Sequence, residues 1–139
     1  MRQYFSQFDF AGRDRSWLHF LADVEHEDFN GKKLGVAHHD DLMGDLSSAP
    51  SMFDYEENGN AVLKDNIRYP QGTDPDKMVK QVEEKFGDIL TPSFASFEEP
   101  HYVPGDDPLV QTLLKVYERQ TGNKGHEVVI GGGAYGRLF

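Results

Sequence analysis

The 139-residue sequence contains no cysteine. This absence excludes disulfide bridges, thiolate metal ligands and cysteine nucleophiles together, and it suits the reducing cytoplasm. Long apolar runs are also missing, since no stretch approaches the roughly 18 residues that a membrane-spanning helix needs. The N-terminal residues lack the basic start and apolar centre of a signal peptide. We therefore predict a cytoplasmic protein without a membrane segment.

Basic residues are scarce, with 14 Lys and Arg against 24 Asp and Glu and a formal net charge of -10. Such a charge repels the phosphate backbone, so a nucleic-acid partner is not expected. Hydrophobic residues make up only 37% of the chain. The length is that of one domain, and its modest core is expected to depend on a few large aromatic side chains.

Apolar spacing predicts a short amphipathic helix over residues 13–25 and a polar loop over residues 26–45. Two apolar stretches, residues 46–55 and 61–69, then flank the turn signal Asn58-Gly59, which predicts a β-hairpin.

A second helix is expected after Thr73 or Asp74, either of which can cap it, with Pro75 in the first turn and Gly87 at the end. Residues 89–98 read as a third strand. The order strand, strand, helix, strand predicts an α+β fold in which helices back an antiparallel sheet.

Two prolines and a glycine within residues 100–105 indicate a domain boundary near residue 100. We therefore predict one domain over residues 1–100 and a second piece over 101–139. The second piece is expected to hold a helix that starts at Asp107-Pro108, followed by a short apolar strand over residues 127–130, an order typical of α/β domains. The apolar residues of this helix are expected to face a core; they are Leu109, Val110, Leu113, Leu114, Val116 and Tyr117.

Three glycines after that strand, Gly131, Gly133 and Gly136, fit the dinucleotide-binding pattern G-x-G-x-x-G. A dinucleotide site also needs a following helix and an acidic residue about 20 positions later, whereas three residues follow Gly136 in this sequence. A glycine turn that lets the backbone approach another ligand is therefore favoured over a nucleotide site.

Metal-capable side chains cluster at His38, His39, Asp40 and Asp41, with Asp45 nearby. Neighbouring residues of an extended chain point in opposite directions, which favours a solvated loop over a cation site, and whether these residues bind a cation stays open. No Ser-His-Asp arrangement and no carboxylate pair can be inferred. We therefore assign no catalytic residue.

Arg68 lies at the end of the second hairpin strand, just before Pro70. A guanidinium held on a sheet can bind a carboxylate through two parallel hydrogen bonds. The competing interpretation is a surface salt bridge with one of the 24 acidic residues.

Six segments resemble, in the same order, the second half of bacterial Xaa-His dipeptidases, carnosinase-like members of the dinuclear zinc aminoacylase and carboxypeptidase superfamily. They are FAGRD at 10–14, GKKLG at 31–35, HDDLMGDL at 39–46, NIRYPQGT at 66–73, PHYVP at 100–104 and IGGGAYGR at 130–137. The resemblance implies a partial lid domain over residues 1–100 and part of a zinc-bearing α/β catalytic domain over 101–139.

The same resemblance implies that the parent enzyme holds two zinc ions through ligands outside this sequence. We therefore expect the isolated chain to bind no metal and to hydrolyse no dipeptide. Arg68 matches the arginine that engages the substrate when the lid closes, and Gly131, Gly132, Gly133 and Tyr135 match the turn that lines the substrate site.

This sequence departs from the family at Ala134, where threonine is common. The expected ligand is a dipeptide of the Xaa-His or β-Ala-Xaa type. The alternative is a stand-alone binding or dimerisation module with a lid-like fold and no catalysis, which would associate through exposed sheet edges.

Overall fold

The computed structural model describes residues 12–56 and 59–133, and these form a mixed α+β structure. The chain divides into two compact units, Met1–Glu98 and Glu99–Phe139. The elements in chain order are α1 Gly12–Phe20 with a π-helical turn Leu21–Glu25, β1 His39–Asp40, β2 Gly44–Asp45, β3 Ser47–Tyr55, β4 Ala61–Arg68, α2 Pro75–Phe86 and α3 Pro108–Thr121. No helix in the described ranges has the length and apolar character needed to cross a membrane.

The predicted β-hairpin is confirmed by the antiparallel pairing of β3 with β4. The register runs from Ser47 opposite Arg68 to Tyr55 opposite Ala61, with a shift between Pro50 and Met52. Proline donates no backbone hydrogen bond, which fits an irregularity at this place. Of the predicted turn, Asn58 lies outside the described residues.

The first unit is held together by a core to which both helices and the intervening loop contribute. Trp17 of α1 stacks on Phe20 and Phe53, at centroid distances of 5.6 and 6.1 Å. Phe20 meets Phe86 of α2 edge-on at 5.1 Å. Two of the seven buried core residues, Trp17 and Phe20, are therefore aromatic. The buried core residues are Trp17, Phe20, Leu34, Val36, Leu46, Met78 and Val82.

The predicted loop over residues 26–45 is more ordered than its polar composition suggests. The buried carboxylate of Asp28 accepts hydrogen bonds from the backbone N–H groups of Lys32, Lys33 and Leu34, at 3.0, 2.8 and 3.2 Å. Gly31 has φ +65°, and a Cβ added there would lie 2.6 Å from Val36 Cγ2. The segment is thus folded tightly enough to bury apolar side chains of its own.

The third strand predicted over residues 89–98 is wrong, because the described chain has no regular structure there. The N–H groups of Ile89 and Leu90 both donate to Phe86 O, at 2.8 and 3.0 Å, which ties them to the end of α2. Pro92 then lacks the N–H that a sheet ladder needs. Phe94 and Phe97 pack against each other instead, with centroids 6.1 Å apart.

In the second unit the predicted helix is confirmed as α3, capped by Asp107 and ended by Gly122 in the left-handed conformation. The predicted core contacts of its apolar residues are wrong, because none of its residues is buried, and Leu109 and Leu113 are 63% and 59% exposed. The strand predicted over residues 127–130 is also wrong. A strand requires a hydrogen-bonded neighbour, and residues 99–133 contain no other strand.

Candidate functional site

Arg68 stands at the junction between a strand and a tight turn. It is the last residue of β4 and lies opposite Ser47, the first residue of β3. Thr73 N donates to Pro70 O at 3.4 Å, and Gly72 has φ +79°, so residues 70–73 form a turn whose third residue needs glycine. Arg68 is exposed and is therefore accessible to a ligand.

The β1–β2 hairpin contacts this turn through Gln71. Gln71 Nε2 donates to Asp40 Oδ2 at 3.1 Å, and Gln71 N donates to Met43 Sδ at 3.3 Å. Gln71 O lies 3.3 Å from His38 Nε2. The histidine-aspartate cluster singled out in the sequence is thus brought to the turn that follows Arg68.

The geometry of this cluster argues against a cation site. His39 Nδ1 is 2.7 Å from Asp45 Oδ1, and this hydrogen bond raises the pKa of His39. Asp40 accepts from Leu42 N, Met43 N and Gln71 Nε2, and the bond from Met43 contributes most to lowering its pKa. Across the described ranges, no three His, Asp or Glu side chains are grouped to hold a metal ion. The described residues of this cluster therefore do not fit a zinc site.

A buried acidic cluster lies elsewhere in the first unit. Glu25 and Asp28 are 9% and 8% exposed, and Ser48 is also buried. Ser48 Oγ donates to Asp65 Oδ2 at 2.5 Å, whereas the buried Asp65 Oδ1 has no hydrogen-bond partner among the described residues. Burial, followed by the charges of Asp65 and Asp28, raises the pKa of Glu25 to about 7.

This acidic cluster was missed in the sequence, where 24 acids form a nearly uniform background. One signal was available. Glu25 follows Trp17 and Leu21 at intervals of four residues, which puts an acid on the apolar face of a helix. Gln71, between a proline and a glycine, carried no comparable signal.

The remaining predicted substrate residues lie in the second unit. Gly131, Gly132 and Gly133 are exposed and belong to a segment without helix or strand. Tyr135 and Ala134 lie outside the described residues. Arg68, in contrast, belongs to the first unit.

Comparison with known proteins gives a clear relationship. The chain is 71% identical over 136 residues to the Beta-Ala-Xaa dipeptidase of Lactobacillus delbrueckii subsp. lactis, a match that covers 98% of this chain and 29% of the relative. It is related to bacterial dipeptidases. The resemblance to bacterial dipeptidases found in the sequence is thereby confirmed.

Two further relatives are more distant. This chain is 33% identical over 135 residues to the dipeptidase-named protein YtjP of Bacillus subtilis (strain 168), and the match covers 97% of this chain and 29% of the relative. It is 31% identical over 126 residues to SH1171 of Staphylococcus haemolyticus (strain JCSC1435), which covers 88% of this chain and 26% of the relative. Both relatives carry a dipeptidase name.

This chain spans less than a third of the length of these relatives. No protein-family model matches it. The comparisons therefore show that this chain is similar to one part of these bacterial dipeptidases.

Proposed function

We propose that this chain is a segment of a dipeptidase and that its first unit binds the substrate. The observation that carries the proposal is the 71% identity to a Beta-Ala-Xaa dipeptidase over almost the whole chain. The proposed substrate is a dipeptide of the β-Ala-Xaa or Xaa-His type. The proposed place of action is the cytoplasm, which the absence of cysteine supports.

Arg68 is the proposed substrate-binding residue of the first unit. It is exposed at a strand end and precedes a turn that other residues hold in place. A guanidinium offers a planar pair of N–H donors that match a carboxylate or a developing oxyanion. Such donors stabilise the transition state when they are already oriented before the reaction starts.

The proposed role of the first unit is that of a lid that closes over the substrate and excludes water. Gly131, Gly132, Gly133 and Tyr135, in the second unit, are proposed to line the substrate site of the parent enzyme. Zinc is proposed for the parent enzyme alone, held by ligands outside this sequence. Because the isolated chain lacks those ligands, it is expected to be inactive.

A chimera tests the role of Arg68. This chain would replace the matching 136 residues of the Lactobacillus delbrueckii dipeptidase, and hydrolysis of β-Ala dipeptides would be followed in the steady state. Arg68→Ala is expected to lower kcat/KM by about 100-fold or more, because an oriented donor to the reacting group is lost. The zinc content is expected to stay unchanged.

The matched control is Arg119→Ala, which removes the same charge from the last turn of α3. It is expected to keep kcat/KM within about twofold of the unaltered chimera, in the range of ordinary surface substitutions. If Arg68→Ala behaved like this control, Arg68 would be a surface charge. An unaltered chimera that folds and binds zinc but lacks activity would instead favour a binding or dimerisation module.

A further inference from the structure

Gln71 is held by the β1–β2 hairpin at three separate atoms. Its side-chain amide donates to Asp40, its backbone N–H donates to the sulfur of Met43, and its backbone carbonyl faces the His38 ring. All three partners belong to residues 38–43. These three contacts tie the turn over residues 70–73 to the β1–β2 hairpin.

The hairpin that grips Gln71 is itself internally fixed. Asp40 Oδ1 accepts from Leu42 N and Met43 N at 3.0 and 2.8 Å, so one carboxylate both closes the hairpin and binds Gln71. His39 and Asp45, paired across the two strands, are joined at 2.7 Å. A network in which every member is satisfied is more rigid than its separate bonds suggest.

The β1–β2 hairpin is also connected to Arg68 through the residues that follow β2 and enter β3. The segment after β2 continues through Leu46, which is completely buried, into Ser47, the partner of Arg68 in the sheet. Leu46 N donates to His38 O at 2.8 Å. The backbone of Arg68 is therefore fixed by Ser47 beside it and by the Gln71 turn after it.

We propose that Asp40 and Gln71 are positioning residues that orient Arg68 toward the substrate through the contact between the β1–β2 hairpin and the turn over residues 70–73. The inference rests on the proposed role of Arg68 in substrate binding. Two parallel hydrogen bonds from a guanidinium require a fixed direction of approach, and a displacement of about 1 Å in a reacting complex can cost about 100-fold in rate.

The main variant is Gln71→Met in the chimera described above. Gln71 is exposed, and methionine has a similar length without the amide that donates to Asp40. This variant is expected to lower kcat/KM by about tenfold, because losing the contact with Asp40 would displace Arg68 only in part. Gln71→Lys retains a donor to the Asp40 carboxylate and is expected to recover most of the loss.

Asp40→Ala and Asp41→Ala form a matched pair on the same hairpin, because each removes one negative charge. The Asp41 side chain is fully exposed and lies 3.6 Å from His39 Nε2, whereas the Gln71 amide donates to Asp40. Asp40→Ala is expected to reduce kcat/KM at least as much as Gln71→Met, and Asp41→Ala is expected to leave it unchanged. If Gln71→Met lowers the melting temperature, the comparison of Asp40→Ala with Asp41→Ala tests the positioning role instead.

A double-mutant cycle with Arg68→Lys separates positioning from general stability. If Gln71 acts through Arg68, the Gln71→Met change is expected to have almost no further effect in the Arg68→Lys chimera. The positioning role is overturned if the two losses multiply, or if Gln71→Met retains full activity. Failure of the proposed function looks different, since then the unaltered chimera lacks activity or Arg68→Lys has no effect.

Discussion

Glu25 is a buried ionisable residue whose pKa is raised in part by the charges of two other acids, Asp65 and Asp28. The carboxyl ionises near its ordinary pKa of 4.5 in the unfolded chain and at about 7 in the folded chain. The folded state therefore keeps a proton that the unfolded state has already lost between these values. By linkage, stability falls as the pH rises from about 4.5 to about 7 and then levels off.

Glu25→Gln removes this pH dependence with an isosteric neutral side chain. At pH 8 the variant is expected to be more stable than the unaltered chain by about 3 kcal/mol, and at pH 4.5 the two are expected to be alike. Urea unfolding followed by fluorescence of Trp17, the single tryptophan, measures the difference. Glu84→Gln, at an exposed position on α2, is the control and should show no such difference. Equal stabilities of Glu25→Gln and the unaltered chain at pH 8 would contradict this assignment.

Individual elements show why local patterns succeed in some places and fail in others. Helices α2 and α3 carry their own start and stop signals, with capping by Asp74 and Asp107, and were predictable. The β3–β4 hairpin was predictable because its strands are adjacent in sequence. The segments over residues 89–98 and 127–130 have strand-like composition, but pairing depends on a partner that composition does not reveal.

Helix α3 is the element most dependent on local interactions, because none of its residues is buried. Asp107 Oδ1 accepts from Leu109 N and Val110 N, at 2.8 and 3.4 Å. Asp107→Ala is expected to cost the helix about 1 kcal/mol, the usual value for a lost N-cap. Amide hydrogen exchange at Leu109 and Val110 should accelerate about fivefold, as that free energy implies.

The neighbouring substitution Asp106→Ala removes the same charge from an exposed position without a cap. It should leave the exchange of these two amides within about twofold. An equal acceleration in both variants would assign the effect to charge near the helix N-terminus rather than to the capping hydrogen bonds.

Arg68 was identifiable as a candidate site residue because its motif, Asn66 to Thr73, is contiguous in the sequence. The grouping of Glu25 with Asp65 and the contact between Asp40 and Gln71 were not, since these pairs lie 40 and 31 positions apart in the sequence. Contacts over such distances depend on the sheet register and on the packing of the loop over residues 26–45. The spacing of residue types in the sequence does not specify this register or this packing.

At the scale of the whole molecule, the chain consists of two compact units and matches less than a third of the length of its dipeptidase relatives. The first unit has a core built from both helices, the hairpin and the loop between them. The second has an exposed helix and an irregular glycine segment. The proposed function assigns substrate binding to these units and metal chemistry to the rest of the parent enzyme.

Turnover of a β-Ala dipeptide tests this division most directly, with the isolated chain and the chimera measured side by side in the presence of zinc. We expect hydrolysis by the chimera at a rate close to that of the Lactobacillus delbrueckii dipeptidase, and no hydrolysis by the isolated chain. Turnover by the isolated chain would contradict the division of roles. A folded, zinc-containing chimera without activity would contradict the proposed dipeptidase function itself.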